Sequence, residues 1–390
     1  MRLLFATSLI PDALGRSGYE IASAAVIDAL RHAGAQVTVM GFAWPEQAVP
    51  DDGETICLGR IDVKTETASP SQKLAWLARA VRLGLPFAAA KLRTVSPEAV
   101  REKIGEAGPF DAYVLNAAQF ASAFETVLHD RPTVFVAHNV EHRSAEENAR
   151  AARNLFERLL YEREARLLER VEARLCRSAA HGFTFAEEDR EALRLDPSRS
   201  SMLPLVTREN APRPLAPAPR SCDAALIGTW TWAPNRIGLD WFLQSVVPLL
   251  PEDFRIRIAG HVPADLAAEH PRIRFVGRVE DAGAFLAGAA VVPLVSRAGT
   301  GVQLKTIETF ELGLATVATT HSLRGIDQVP DNCLVADNPR LFADLLMRLA
   351  RERPAPLDGT AFFEAQRSAL RARVTDVVRR LRSPFESAAA

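Results

Sequence analysis

Cysteine is scarce in this 390-residue chain, and the four present, Cys57, Cys176, Cys222 and Cys333, are scattered with no C-x-x-C among them. That spacing suggests neither a disulfide framework nor a zinc site, and it points to a reducing compartment. No apolar run approaches the roughly 18 residues that a membrane span requires. The opening MRLLFATSLIP is too short in its apolar stretch for a secretory leader and reads as a first strand, so a cytoplasmic protein is expected. An excess of one charge is lacking too: 47 basic and 48 acidic residues leave a net charge of −1, which argues against a general nucleic-acid-binding surface. No G-x-G-x-x-G fingerprint follows the first strand, which disfavours a dinucleotide dehydrogenase. Internal repeats and low-complexity tracts are absent.

What is present is enough apolar residue, 48%, for two cores of ordinary domain size. Strand and helix patterns alternate on both sides of a proline-rich polar stretch, TRENAPRPLAPAPRS, which implies parallel sheets with crossover helices. The expected division is a first domain over residues 1–206, a linker over 207–221 and a second domain over 222–390, with a final helix from about Phe362 to Leu381 packing back across the linker. At the amino end RLLFATS is a strand, Ser17 to Ala33 a helix and QVTVMGF a second strand. The intervening loop carries Gly15 and Gly18 near the helix start. TVFVAHNVEHR is a strand running into a polar turn at its carboxyl end, where open α/β sheets bind ligands, so His138, Asn139, Glu141 and His142 are site candidates. A histidine at a strand end is as often a satisfied structural residue.

The most informative stretch is Ser296 to Gly313, SRAGTGVQLKTIETFELG. It follows the buried-strand run AAVVPLV, makes a glycine-rich turn, and continues as a helix in which Leu304, Ile307, Glu308 and Leu312 recur at helical spacing. Strand, glycine turn and helix start form an anion cradle, because glycines admit a close backbone approach and the helix N-terminus, expected at Gly299 to Gly301, favours negative charge. Arg297 and Lys305 would add cationic side chains. Glu308, about two turns into the helix, repels phosphate but suits sugar or ribose hydroxyls. An ordinary strand-to-helix connection has the same spacing.

GTGVQLKTIETFELGLATVAT closely resembles the donor-site segment of family 4 glycosyltransferases, the retaining GT-B group. In that family's Glu-x7-Glu motif the second Glu holds the nucleotide ribose and the first contacts the donor sugar. Glu308 matches the second, whereas Thr300 stands at the first, as in a subgroup reading Gly-x-Gly-x-x-x-Lys-x-x-Glu. ALIGTWTWAPNRIGLDWFLQSVVPLL resembles the opening of the donor domain, with Asn235 a candidate N-cap. FRIRIAG and RIRFVGRV read as two further strands. The resemblance implies that the loop at Gly277, Arg278 and Val279 brackets the base, that Gly15 and Gly18 belong to the first glycine loop, and that His138 lies near the donor sugar.

The fold so implied is α/β, GT-B: two Rossmann-like doubly wound parallel-sheet domains facing a cleft. The implied activity is retaining, metal-independent transfer of a sugar from a nucleotide diphosphate sugar to an acceptor hydroxyl, in bacterial surface polysaccharide or glycoconjugate synthesis. Family members commonly need no metal, and the Asp-x-Asp of the metal-using GT-A enzymes is absent here. No cofactor is expected beyond the donor substrate. His138, Lys305 and Arg297 carry the catalytic expectation; Gly15, Gly18, Gly277, Arg278, Gly299, Thr300, Gly301, Val302 and Glu308 carry the donor-binding one. A non-catalytic GT-B partner subunit and a nucleotide-sugar epimerase of GT-B shape are the alternatives.

Two helices of the first domain remain. In KLAWLARAVRLGLPF, Leu74, Leu77, Val81 and Leu85 share a face while Arg79 and Arg82 lie on another. Simple domain packing and reversible contact with the inner membrane leaflet both fit this pattern, the latter through Lys73, Arg79, Arg82, Lys91 and Arg93 beside Trp76, Leu77 and Phe87, with a lipid-linked saccharide as acceptor. A single long helix is expected over Ala145 to Arg177, with Phe156, Leu160, Leu167, Val171 and Leu175 as its apolar stripe amid i,i+4 pairs.

Overall fold

The computed structural model describes residues 1–12, 17–65, 67–152, 154–213, 220–262 and 271–386, the side chains of the last four excepted. The chain forms two compact units, Met1–Leu203 with Ala369–Ala390, and Pro204–Ser368.

The first unit is built on seven strands: β1 (Arg2–Leu9), β2 (Gln36–Ala43), β3 (Thr55–Arg60), β4 (Ala112–Asn116), β5 (Thr133–Ala137), β6 (His181–Thr184) and β7 (Ser200–Met202). Their order is β3-β2-β1-β4-β5-β6-β7 and every pair is parallel. The central strands are buried along their length, as parallel strands covered on both faces must be. The helices are α1 (Gly18–His32), α2 (Pro70–Leu83), α3 (Phe87–Leu92), α4 (Pro97–Glu106), α5 (Ala118–Ala123), α6 (Glu141–Arg150), α7 (Leu155–Ser178) and α8 (Glu187–Ala192).

The second unit has six parallel strands in the order β10-β9-β8-β11-β12-β13. They are β8 (Cys222–Thr229), β9 (Ile256–His261), β10 (Ile273–Gly277), β11 (Ala289–Leu294), β12 (Thr316–Ala318) and β13 (Cys333–Val335), with α9 (Ala233–Trp241), α10 (Ala282–Ala287), α11 (Leu304–Glu311) and α12 (Pro339–Glu352). The last helix, α13 (Gly359–Glu386), begins in this unit and from Ala369 belongs to the first. In each sheet the strand order reverses once, between β1 and β4 and between β8 and β11. Those two points are where an open parallel sheet offers its binding crevice, outside the strands' carboxyl ends.

Several expectations need correction. The single helix over Ala145 to Arg177 is two helices. Asn154 takes extended backbone and its side chain accepts from the Glu157 N–H at 2.9 Å, restarting the helix, while Glu172 on α7 caps the start of α6. The halves therefore fold back on each other, with Ala145, Ala165 and Leu168 forming a small core. The apolar stripe also shifts: Ala165, Leu168, Val171 and Leu175 are buried, but Phe156 is 65% exposed. On α2, Trp76 and Ala80 face inward, and Leu74 and Val81 are exposed. Lys91 is buried, donating to the Val63 carbonyl at 2.8 Å and to Thr65 Oγ1 at 2.6 Å with the Trp76 ring 4.8 Å away, so neither it nor Trp76 is a surface group.

Candidate active site

In the second unit the crevice lies between the ends of β8 and β11. Beyond β8, Trp230 turns back into the core, its ring N–H donating to the Ala259 carbonyl at 2.8 Å. Asn235 does not cap α9, which starts at Ala233; it stands in the first turn and its amide donates to the Thr229 carbonyl at 3.1 Å, closing the turn. Beyond β11 the chain runs through Ser296 to Gln303 before α11 begins. Gly299 (φ +100°) and Gly301 (φ +73°) both lie in the left-handed region. A Cβ on Gly299 would meet Pro234 Cβ at 3.0 Å, so a larger residue would collide with the β8–α9 turn as well as strain the backbone.

Buried hydroxyls hold this loop. Ser322 Oγ accepts from the Ser296 N–H at 2.9 Å and donates to the Leu294 carbonyl at 2.8 Å, Thr306 Oγ1 donates to the Ser322 carbonyl at 2.9 Å, and Thr319 Oγ1 donates to the Ser296 carbonyl. Arg324 Nε approaches the Gly301 carbonyl at 3.4 Å. The helix start is at Gln303 rather than at the glycines, and Gln303 supplies no side-chain cap. The N-cap residue thus leaves the first N–H groups of α11 without a bond from its own side chain, an arrangement that suits an anion.

Lys305 completes this cradle. Its ammonium donates to Asn235 Oδ1 at 3.1 Å and lies 5.6 Å from the centre of the Trp230 ring. Among the described residues no carboxylate pairs with it, and burial lowers its pKa to about 8. Arg297 is not brought to the same point: its guanidinium is exposed, sits 4.7 Å over the Trp241 ring and donates to the Asp337 carbonyl at 3.4 Å. Thr300 is buried and Val302 half-buried.

Glu308 is the fifth residue of α11, little more than one turn in. Burial raises its pKa, Arg208 opposes the rise with a nitrogen 3.7 Å away, and Asp281 adds to it. Asp281 caps α10 through the Ala284 N–H at 2.9 Å, so Glu308 looks toward the segment that follows β10. There Gly277 (φ +69°) ends the strand with open space around its Cα, and Arg278 is exposed.

The crevice of the first unit is filled by a polar network. Tyr19, one residue into α1 after Gly18, places its hydroxyl across the switch point, 2.7 Å from Thr7 Oγ1 and donating to the Asn116 carbonyl at 3.1 Å. Gly15 lies outside the described residues. The Asn116 amide donates to Thr7, Tyr19 and Ser23, so its oxygen faces His138 Nε2 at 2.7 Å and that nitrogen carries the proton. Burial lowers the His138 pKa to about 3. The ring, 4.7 Å from Tyr19 and 4.9 Å from Phe185, is therefore a fixed neutral donor and not an acid. Glu141 lies beside it in sequence, with its pKa raised by burial and by Glu172, and with Gln119 and Asn139 hydrogen-bonding against that rise. His142 is taken by Glu172 at 2.7 Å, whose carboxylate also accepts the first two N–H groups of α6 and so already occupies that helix N-terminus.

The hydroxyl clasp, Asn116 and Tyr19 are not marked as candidates in the sequence, and Asn235 is marked there only as a candidate N-cap. Asn116 carried the same signal as His138, a polar residue closing a buried strand; the others depend on contacts between distant segments.

Residues 223–352 match the family model described as Glycosyl transferases group 1. No curated protein matches the chain in sequence. Among solved structures, sucrose-phosphate synthase from Thermosynechococcus elongatus superposes with a TM-score of 0.65 at 13% identity, over 99% of each chain. HepE of Anabaena in complex with UDP and glucose gives 0.60 at 12%, over 97% of this chain and 99% of that one. The lipopolysaccharide outer core galactosyltransferase WaaB in its apo form gives 0.52 at 11%, over 99% and 100%. At such identities the likeness speaks for the fold: two parallel-sheet α/β units of the GT-B type, as the sequence led one to expect.

Proposed function

We propose that this chain is a retaining glycosyltransferase that moves a sugar from a nucleotide diphosphate sugar to an acceptor hydroxyl. The observation that carries the reading is Lys305, a half-buried residue with no carboxylate partner among the described residues, set at the switch point beside two left-handed glycines and a helix start whose N-cap makes no side-chain bond. Such a cation is costly without an anion and is matched by a diphosphate. Glu308 would accept the ribose hydroxyls, and the β10–α10 segment at Gly277 and Arg278 would flank the base. The bond from the anomeric carbon to the diphosphate oxygen breaks and the acceptor oxygen bonds the same face. The acceptor proton passes to the departing diphosphate, so no protein nucleophile is required. Lys305 and the helix start meet the charge that grows on the leaving group, which gives the reading its independence of metal. His138, neutral and with its one N–H held by Asn116, is not assigned as an acid.

A titration of purified protein with nucleotide sugars, UDP-glucose first, followed by analysis of the anomeric configuration of the product, tests this. The matched domain and a neighbour solved with UDP support that choice of probe. Thr300, buried where an acidic residue stands in the larger family, favours a second reading, a non-catalytic subunit. Absence of transfer and of donor hydrolysis with every common nucleotide sugar would decide for it.

The acceptor proposed is a saccharide, free or lipid-linked, used in surface polysaccharide synthesis. Among the described residues no helix is long and apolar enough to cross a membrane. Contact with an anionic lipid surface would run through the outward face of α2, where Leu74 and Val81 are exposed, as is Arg82, beside the half-buried Lys73.

A further inference from the structure

Arg208 is fixed by an arrangement that α11 alone does not need. In the second unit, the Thr207 N–H donates to Glu311 Oε1 at 2.8 Å, the Thr207 hydroxyl donates to Oε2, and Arg208 Nε donates to Oε2 at 3.0 Å. Glu311 is 1% exposed, and these bonds satisfy a carboxylate that burial would otherwise make costly. Glu308 precedes Glu311 by one turn on the same face, 3.7 Å from the Arg208 terminal nitrogen. One guanidinium therefore serves two carboxylates: it is hydrogen-bonded to the buried one and only electrostatically paired with the other. At 3.7 Å it supplies positive charge without occupying the lone pairs of Glu308.

We infer that Arg208 is a positioning residue of the donor site, anchored through Glu311 so that Glu308 stays ionised while both its oxygens remain open to a pair of vicinal hydroxyls. This rests on the assignment of Glu308 to the ribose. The charges facing Glu308 are Arg208 from the segment after β7 and Asp281 from the start of α10, with Lys305 and Glu311 one turn to either side on its own helix. Burial and Asp281 both favour the protonated carboxyl, and Arg208 is the group that opposes them. Without it, Glu308 would take up its proton at higher pH and cease to accept two hydroxyls.

The test is UDP affinity by calorimetry from pH 5 to 8 in wild type, Arg208→Gln, Arg208→Lys and Glu308→Gln. Gln at position 208 can still donate to Glu311. The expected result is that Arg208→Gln binds within about threefold of wild type at pH 8, loses affinity at a higher pH than wild type as the solution is acidified, and that Arg208→Lys restores the wild-type midpoint. Titration of the Glu308 carboxyl carbon by NMR in the ligand-free protein reads the same shift without a binding step. A loss by the same factor at every pH, or an unmoved midpoint, overturns the role of Arg208. Glu308→Gln carries the titration of the phosphate itself. If its acid limb equals that of wild type, the ribose assignment has failed, and the inference falls with it for that distinguishable reason.

Discussion

Replacing Lys305 by methionine separates function from stability in opposite directions. Burial takes the ammonium from its ordinary 10.5 to about 8, and at about 1.36 kcal/mol per pKa unit the charged form costs at most about 3 kcal/mol at pH 7. Methionine fills a similar volume without the charge. It forfeits the bond to Asn235 and the contact with Trp230, together about 1 to 2 kcal/mol. The net expectation is a ligand-free protein stabilised by about 1 kcal/mol, a rise in Tm of roughly 2 to 4 °C for a unit of this size. The pH dependence has a definite sign. The unfolded chain holds this proton up to pH 10.5 and the folded one releases it near 8, so wild-type stability gains from Lys305 between those values and the variant lacks that gain. Affinity for UDP should meanwhile fall by about 10- to 100-fold, the worth of one charge-assisted bond. Wild-type binding at pH 8 should take up about 0.5 proton, because a half-protonated lysine becomes fully charged against the diphosphate. Calorimetry in buffers of different ionisation enthalpy and a thermal melt read all of this. A variant that melts lower than wild type while binding UDP unchanged would refute the assignment of Lys305 as a cation awaiting its anion.

Glu308→Ala should weaken UDP binding by about 1.5 to 3 kcal/mol for each ribose bond lost and leave the melting temperature near wild type, as calorimetry and a melt would show. Gly299→Ala, forced to φ +100° against Pro234, should cost about 1 to 2 kcal/mol of stability and displace the loop enough to abolish donor binding; a stable variant with wild-type affinity would contradict the close approach. The His138 ring is neutral down to about pH 3 in the folded protein but charges near 6.5 when unfolded, so stability should be lost as pH falls between those values. In His138→Gln that loss should be smaller, by denaturant titration at pH 4 and 7. Flotation with anionic liposomes at low salt should carry the protein upward and high salt should release it, with Leu74→Glu abolishing the effect.

The fold was legible because buried parallel strands announce themselves as short apolar runs, and each of AAVVPLV, RLLFATS and TVFVAHN begins where its strand begins or within one residue of it. The glycine loop was legible for a related reason, since glycine marks positive φ locally, whereas Lys305 was named from its place in the turn and from the resemblance. What escaped was written over distance. Arg297 stands two residues from the glycines, yet its guanidinium goes to Trp241, an aromatic 56 positions away that no local pattern connects to it. Glu311 and Arg208, 103 residues apart, meet only once β7 has fed the chain onto α11. Lys91 and Trp76 show the opposite error: a basic residue beside an aromatic suggests a membrane surface, but here the lysine stem is buried and its charge is satisfied by a carbonyl and a hydroxyl. The break between α6 and α7 turns on one residue, Asn154, whose side chain competes with the helix for its own backbone.

A crystal structure of the protein soaked with UDP would test whether a nucleoside diphosphate binds at the β8–β11 switch point of the second unit. The diphosphate should lie within hydrogen-bond distance of Lys305 Nζ and the start of α11, with both ribose hydroxyls on Glu308 and Arg208 still at its place beside that carboxylate. UDP seated instead on the Tyr19, Asn116 and His138 network of the first unit, or bound in the second with its ribose away from Glu308, would contradict it.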